Sequence, residues 1–249
     1  MKIAIMNQKG GATKTETSKT LAVELAKEQT ITLVDADPQA NDTIFFNCYD
    51  GKSILDVVVG DESVKDITTN INNNLNLVRS ANNLSALDVS ISTQFGGETK
   101  LLRTLEEITS NTEMTIFDCP PAFNRLTAAI IATVDYIIIP IIPSVDAIDG
   151  YTTLLQNIVD IMEVVGNNSK KIKILIARYN EHRIADRENL EKILGLKHPI
   201  FETYIRESTA VNRARNANKT IIEFDANNNV AKDYLTFIAE FKEDIRRDE

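Results

Sequence analysis

A chain of 249 residues is long enough to bury the core of one large α/β domain or of two small ones. Its longest apolar run, residues 136–142, is far shorter than the ~20 residues of a membrane-spanning helix, and its N-terminus lacks the pattern of a signal peptide, so we expect a cytoplasmic protein. A net charge of −9 excludes a uniformly basic surface, and two isolated cysteines, Cys48 and Cys119, support neither a disulfide framework nor a zinc site.

The first predicted unit is a strand, a glycine turn and a helix. Residues 3–6 are apolar, and Leu21 and Leu25 recur at helical spacing in the stretch that begins near Thr15. Between the apolar residues and the helical stretch lies Lys9-Gly10-Gly11-Ala12-Thr13-Lys14-Thr15. Glycines let backbone amides converge on an anion, the helix start attracts negative charge, and the lysine and threonine add a cation and a metal-binding hydroxyl. The unit predicts a phosphate-binding loop, although Thr13 replaces the second glycine of the G-x-x-x-x-G-K-[ST] pattern.

Two further predicted strands end in carboxylates. Residues 31–34 lead into Asp35-Ala36-Asp37-Pro38-Gln39-Ala40-Asn41, and residues 114–117 lead into Asp118. The carboxyl ends of parallel strands gather at one edge of a sheet, so we expect these aspartates beside the glycine turn. A buried strand that ends in Asp118 is the arrangement that a Walker B motif uses to reach the magnesium shell.

The remaining pattern alternates strands with helices. Strands are predicted at residues 75–78, 136–142, 172–177 and 201–205, and helices at residues 54–59, 84–91, 101–108, 125–132, 148–165, 188–194 and 230–247. The last helix has a predicted buried stripe of Leu235, Ile238, Ala239 and Phe241. The alternation predicts an α/β fold in which residues 1–249 form a single domain, with a mostly parallel twisted sheet and helices on both faces.

Basic residues are concentrated late in the chain. Residues 170–220 hold twelve lysines and arginines against six acidic residues, in a protein that is acidic as a whole. Such asymmetry is typical of a face that binds a polyanion, and scattered solvated charge on helices is the alternative.

Four blocks in a fixed order carry a resemblance to a known family. They are residues 9–15, residues 35–41, Asp118-Cys119-Pro120-Pro121, and the stretch from Pro140 through Pro143 to Gly150. Together they resemble the ParA/MinD family of P-loop NTPases, which has the deviant Walker A motif K-G-G-x-G-K-[ST]. The resemblance spans nearly the whole chain and is greatest to the ParA-type partition ATPases of plasmids and chromosomes.

The resemblance implies ATP or ADP and Mg²⁺ as cofactors, and it gives the matched residues roles. Lys14 would hold the β- and γ-phosphates, Lys9 would reach the partner's phosphates across a sandwich dimer, and Asp37 would position the hydrolytic water or its magnesium environment. These three are the expected catalytic residues. Thr15, Asp37 and Asp118 are the expected metal site. The expected nucleotide contacts are Gly10, Gly11, Ala12, Thr13, Lys14, Thr15, Glu16 and, at the adenine, Asn180.

The resemblance also implies partners. The ATP-bound homodimer would bind nonspecific DNA and associate with the nucleoid, and a ParB-type centromere-binding adaptor would stimulate slow hydrolysis. We expect no membrane partner. The residues that match the DNA-contacting part of the family are Arg183, Arg206, Arg213, Arg215 and Lys219.

Several departures from the family pattern leave alternatives open. Thr13 and Ala40 replace glycines, and Glu16 replaces a threonine that helps to hold the α-phosphate. A carboxylate is unfavourable there unless it turns to solvent in the first helical turn. One alternative is therefore a degenerate nucleotide-binding module with weak or no hydrolysis. A MinD-like membrane switch is a third possibility, but that class uses a basic amphipathic C-terminal helix, and residues 241–249 are acidic.

Overall fold

The computed structural model describes residues 1–11, 13–166 and 169–247. Ala12, which we expected to contact the nucleotide, lies outside the described residues, as do the last two residues of the acidic C-terminus. Within the described ranges, no helix is long and apolar enough to cross a membrane.

Seven strands form one sheet in the order β3-β4-β2-β5-β1-β6-β7. Every neighbouring pair is parallel except β3 and β4, which are antiparallel. The strands are β1 (Lys2–Ile5), β2 (Ile31–Asp35), β3 (Thr68–Asn72), β4 (Leu75–Val78), β5 (Met114–Asp118), β6 (Tyr136–Ile141) and β7 (Lys171–Ile176).

Helices cover both faces of this sheet, as the alternation predicts. The described helices are α1 (Lys14–Leu25), α2 (Asn41–Phe45), α3 (Ile54–Val58), α4 (Leu87–Thr93), α5 (Gly97–Thr109), α6 (Arg125–Thr133), α7 (Ala147–Val165), α8 (Ile184–Leu194), α9 (Ala210–Asn216), α10 (Ile221–Phe224) and α11 (Asn229–Arg246), with a 3₁₀ turn at Asn82–Ala86.

Each face has its own hydrophobic core because successive side chains of a strand point in opposite directions. In β1, Ala4 packs with the core that α3 to α8 cover, whereas Ile3 and Ile5 pack with the core of α1 and α9 to α11. A strand that is buried on both faces has no polar side to expose, which explains why the central strands are almost entirely apolar.

The strand register brings the predicted site residues together. Central β5 lies between β1 and β2, with Asp118 opposite Ile5 on one side and opposite Asp35 on the other. The glycine turn follows β1 directly. The two strand-end carboxylates and the start of α1 therefore share one edge of the sheet, as predicted.

The predicted strand at residues 201–205 is wrong. This segment runs beside β7 and donates its Phe201 and Ile205 amides to β7 carbonyls, but the described bridges here are isolated ones at Ile200 and Arg206, on either side of the segment. The Glu240 carboxylate accepts hydrogen bonds from the Glu202 and Thr203 amides at 2.8 and 3.0 Å. The two β7 acceptors, Ile174 and Ile176, are two residues apart, whereas the donors Phe201 and Ile205 are four apart, so the two segments do not keep the register of a continuous ladder.

The predicted stripe of the last helix is half wrong. Ile238 and Phe241 are buried, but Leu235 and Ala239 are exposed, and Tyr234 and Phe237 are buried instead. Tyr234 and Phe237 fit the same helical periodicity as Ile238 and Phe241 when the buried stripe is rotated slightly around the helix axis. The sequence pattern also does not predict the antiparallel strand β3 or the short helices α2, α9 and α10.

Candidate functional site

The glycine turn has the backbone that an anion cradle needs. Gly11 adopts a positive φ of 75°, and Thr13, immediately before α1, adopts φ 64° and ψ 16°. Thr13 makes no side-chain hydrogen bond to the first turn of α1. The first amides of a helix have no intrahelical acceptor, so the start of α1 presents uncapped donors where an anion would bind.

Asp118 is held by two hydroxyls of α1. The Thr15 hydroxyl donates to one carboxylate oxygen at 2.7 Å, and the Ser18 hydroxyl lies 3.0 Å from the other. Burial raises the pKa of Asp118 to about 6, although the Thr15 hydrogen bond and the Lys14 charge oppose that shift. The Asp118 carboxylate therefore lies behind Thr15, and the nearby positive charge is too small to offset the effect of burial on its pKa.

Two neighbouring aspartates have the same deficit of positive charge. Burial, together with the Asp118 charge, raises the pKa of Asp35 to about 7, even though Thr43 donates two hydrogen bonds to it. Burial also raises the pKa of Asp42 well above its ordinary value. Both carboxylate oxygens of Asp42 are buried and accept no hydrogen bond among the described residues.

A magnesium ion fits this arrangement if the protein supplies only some of its ligands. No three carboxylate, imidazole or thiol groups of the described residues converge as a protein-only metal cage. Mg²⁺ usually keeps waters and phosphate oxygens and takes few protein ligands. The Thr15 hydroxyl would be a direct ligand with Asp118 behind it, and the buried excess of negative charge favours a cation.

The segment after β2 is ordered by its own side chains. Asp37 accepts a hydrogen bond from the Gln39 amide at 2.9 Å, and the Ser80 hydroxyl donates to its backbone carbonyl at 2.7 Å. Ala40 adopts φ 53° and ψ 38° immediately before α2. Ala40 thus keeps the left-handed backbone that a glycine would adopt there without strain.

Lys9 is directed away from the other site residues. Its ammonium donates to the Ser144 hydroxyl at 3.0 Å and lies 3.8 Å from the Asp146 carboxylate, with the side chain 43% exposed. Its backbone amide donates to the Asn7 side chain at 2.9 Å. The first lysine of the motif therefore contacts the loop after β6, whereas Lys14 is buried at the start of α1.

Glu16 is buried, which excludes the alternative in which its side chain turns to solvent. Its side chain is 2% exposed and its carboxylate lies 2.7 Å from the Lys19 ammonium. The two residues are one turn apart on α1, which places them on the same helix face. Lys19 of the same helix therefore supplies a counter-ion for Glu16, the residue that departs from the family pattern.

A cavity of about 900 Å³ opens beside the glycine turn. Its lining comes from two parts of the chain: the turn with α1 and α2, and the segment from Ile205 to Asn218 together with Arg178. The predicted residues that line it are Gly10, Gly11, Thr13, Lys14, Thr15, Glu16, Asp37, Arg206 and Arg215.

Asn180 is not part of the described cavity wall. Its amide donates to the Asp186 carboxylate at 3.0 Å and its side-chain oxygen accepts from the His182 amide at 3.0 Å. From the same loop, Arg178 reaches the cavity and bonds to Glu207 at 2.8 Å. The adenine role of Asn180 stays a prediction.

The five residues expected at DNA fall into two groups. Arg183 pairs with Glu207 and Arg206 pairs with Asp233, each at 2.6 Å. The other three, Arg213, Arg215 and Lys219, lie on α9 and the turn that follows, and no described residue forms an ion pair with them. Of these five residues, the three without an ion pair thus lie at one helix end.

Sequence reasoning missed several cavity residues: Lys19, Arg178, Glu207 and Tyr234. A signal existed for Lys19, because its spacing from Glu16 predicts an ion pair. Arg178 follows the carboxyl end of β7, which lies at the edge where ligands bind in such sheets. Tyr234 comes from the last helix, about 220 residues from Thr17, whose hydroxyl lies 3.3 Å from the Tyr234 hydroxyl; no local pattern predicts that contact.

Comparisons with known proteins agree with this geometry. A family model described as an AAA domain matches residues 1–174. The sporulation initiation inhibitor protein Soj of Bacillus subtilis is 27% identical over 245 residues, covering 96% of each chain. The chromosome partitioning protein ParA of Myxococcus xanthus is 26% identical, covering 94% of this chain and 84% of its own. The ATP complex of a McdA variant from Cyanothece superposes with a TM-score of 0.83 at 21% identity, covering 97% of this chain and 96% of that one.

Proposed function

Because the chain belongs to the ParA-type family of P-loop ATPases, we propose that it is a DNA-partition ATPase of a plasmid or other replicon. ATP binding drives formation of a sandwich dimer, and the dimer binds nonspecific DNA and associates with the nucleoid. A ParB-type adaptor bound at the centromere stimulates slow hydrolysis, which releases the protein from DNA into the cytoplasm.

One observation carries the proposal: the two motif lysines occupy different places. Lys14 lines the cavity, but Lys9 extends to Ser144 and Asp146 outside the lining residues. A triphosphate bound in this cavity would meet one motif lysine from its own chain. A second copy that faces the cavity would supply the other, so charge compensation would be complete only in a dimer.

Within the site, the residues divide the work by position. The uncapped amides at the start of α1 and the Lys14 ammonium would hold the phosphates, and Thr15 with Asp118 would hold Mg²⁺. The ion would neutralise charge on the phosphate oxygens during phosphoryl transfer. Asp37, which lines the cavity from the segment after β2, would orient the attacking water.

The DNA site of the proposal is the end of α9. Arg213, Arg215 and Lys219 have no carboxylate partner among the described residues, unlike Arg183 and Arg206. Unpaired cations keep their full attraction for phosphate, whereas paired ones first have to break an ion pair. We therefore assign the stronger contribution to the α9 group, and Arg183 and Arg206 to a weaker one.

Light scattering of the purified protein with ATP or ADP tests the dimer. We expect the wild type to dimerise with ATP and Mg²⁺ but not with ADP. Lys14→Ala should lose nucleotide binding and dimerisation together, whereas Lys9→Ala should bind ATP and remain monomeric. Exposed Lys100→Ala is the matched control. An ATP-bound Lys9→Ala variant that dimerises normally would overturn the assignment of Lys9.

The second candidate is a nucleotide-binding module that has lost hydrolysis. Thr13 in a left-handed conformation and the buried carboxylate of Glu16 favour it, because both alter the phosphate-facing turn. Steady-state phosphate release separates the two candidates. Turnover that disappears in Asp37→Ala supports the ATPase, and absence of turnover in the wild type, with nucleotide still bound, supports the module.

A further inference from the structure

The buried Glu16–Lys19 pair lies in the wall of the cavity. Both side chains line it, and they are 2% and 1% exposed. Glu16 follows Lys14 and Thr15 in the chain and lines the same cavity, so its carboxylate lies near the place where phosphates would bind. An unscreened carboxylate there would repel a nucleotide.

Lys19 has unused capacity to donate hydrogen bonds. An ammonium has three N–H donors. Among the described residues it lies 2.7 Å from the Glu16 carboxylate and over the face of the Phe45 ring, whose centroid is 4.3 Å away, and its charge opposes the rise in the pKa of buried Asp42. An aromatic face attracts the cation but is no conventional acceptor. A buried ammonium at a cavity wall is thus left with donors that a ligand could satisfy.

A purely structural role explains the pair poorly. Removing two charges from water is expensive, and apolar residues of similar size usually stabilise a buried position at least as well. The carboxylate is also incompletely satisfied, because neither of its buried oxygens accepts a well-directed hydrogen bond among the described residues. The two buried groups at the cavity wall therefore have hydrogen-bonding capacity that a bound ligand could use.

We propose that Lys19 is a nucleotide-binding residue: Glu16 holds its ammonium at the cavity wall, where it becomes the counter-ion of the α-phosphate. The inference rests on the proposed function, since it takes the cavity to be the nucleotide site. Lys19 binds the ligand, and Glu16 is a positioning residue.

Equilibrium binding of fluorescent ATP and ADP to the full chain tests the proposal. Lys19→Met should weaken both nucleotides by a similar factor, on the order of 10- to 100-fold, because a charge-assisted hydrogen bond to a shared phosphate is lost. Glu16→Gln should bind at least as tightly as the wild type, since the amide oxygen can still face the Lys19 ammonium while the negative charge is gone. The matched control is Lys27→Met. Lys27 is exposed, lies just after the end of the same helix and forms an ion pair with Glu24.

A second pair of variants keeps the test valid if Lys19→Met does not fold. Glu16→Thr and Glu16→Thr/Lys19→Met differ only in the lysine, and neither leaves the Glu16 charge buried without a partner. The double variant should bind more weakly than the single one. Circular dichroism verifies that each variant is folded.

The outcomes separate the inference from the function. Equal affinity with and without Lys19 in folded protein overturns the inference and leaves the proposed function intact. The inference is also overturned if Glu16→Gln weakens nucleotide binding as much as Lys19→Met does. The carboxylate would then be the ligand-binding group. Absence of binding by the wild type to either nucleotide overturns both.

Discussion

At the scale of single residues, the departures at Thr13 and Ala40 change side chains but not the backbone. Both positions adopt the left-handed conformation, with φ values of 64° and 53°. That region is unfavourable for residues with a Cβ atom, and most of all for β-branched ones such as threonine. The chain therefore stores strain at the glycine turn and at the start of α2.

Thr13→Gly should release part of that strain. A non-glycine residue in this region costs roughly 1–3 kcal/mol, and glycine gives back about 0.5–1 kcal/mol through its greater freedom when unfolded. We expect the free energy of unfolding of the nucleotide-free protein to rise by about 1 kcal/mol, measured by urea denaturation. Thr13→Ala keeps the Cβ atom but removes a buried hydroxyl that has no described partner. Equal stabilisation by both variants would attribute the effect to that hydroxyl.

Residue identities also set the limit of what could be predicted at the site. Lys14, Thr15, Asp37 and Asp118 lie together as their motif positions indicate, because each follows directly from a strand end or a helix start. The direction of Lys9 and the burial of Glu16 depend on Ser144 and Lys19, which the motif does not specify. Side-chain partners that lie outside a motif were the unpredictable part.

At the scale of elements, an arginine clamp joins two loops at the cavity wall. Glu207, before α9, accepts from Arg178 at 2.8 Å and lies 2.6 Å from Arg183, both in the β7–α8 loop. Hydrogen bonds from Arg178 and the charges of both arginines lower the pKa of Glu207. The carboxylate therefore stays ionised, and the clamp persists, across the neutral range.

Glu207→Gln should loosen this wall of the cavity. The amide keeps the shape of the side chain but loses the charge that both arginines share, so we expect faster hydrogen exchange over residues 205–216. Nucleotide affinity should fall by less than tenfold, because the phosphate-binding turn is untouched. Glu202→Gln, which changes an exposed glutamate outside the clamp, is the control. Unchanged exchange in Glu207→Gln would contradict a role for the clamp in ordering the wall.

The last helix, α11, is fixed to the sheet by Asp244. Its carboxylate accepts from the Tyr136 hydroxyl at 2.6 Å and lies 3.1 Å from Lys171 and 3.4 Å from Lys173. Partial burial raises the pKa of Asp244, but the Tyr136 hydrogen bond and the two lysines outweigh it, so the pKa is lowered. A lowered pKa means that the ionised form stabilises the folded state.

The stabilisation by Asp244 should depend on pH. It is fully present above the unfolded pKa and is lost as pH falls through the lower folded value. We expect Asp244→Asn to reduce the free energy of unfolding at pH 7 by roughly 1–3 kcal/mol, as for other hydrogen bonds to charged groups. The difference from the wild type should disappear in acid, which denaturation across pH can show. Exposed Asp61→Asn should change little, and a difference that is constant with pH would contradict this account.

Elements with strong periodicity were predictable, and those defined by distant partners were not. The central strands and helices α5 to α7 follow from long apolar patterns. The segment at residues 201–205 has a strand-like sequence, but Glu240 takes two of its amides. Polar β3 is a strand because it pairs with β4, and its own residues carry no apolar alternation.

At the scale of the whole molecule, the charge distribution is the feature that a partner would recognise. The protein is acidic, with a net charge of −9, and five of the twelve lysines and arginines in its late basic segment form internal ion pairs. The cations of α9 and its following turn form none with a described residue, and they lie close together in the chain. In a monomer this small patch would bind DNA weakly, and a dimer would double it. Dimerisation would thus convert nucleotide binding into DNA binding.

Retention of the protein on nonspecific duplex DNA, compared between ATP and ADP, tests the central claim most directly. We predict retention with ATP and Mg²⁺ that weakens as salt rises, little retention with ADP, and none for Lys14→Ala. Arg213→Ala/Lys219→Ala should lose retention while still dimerising with ATP. Equal retention with ATP and ADP, or its absence with ATP in protein that has dimerised, would contradict the account.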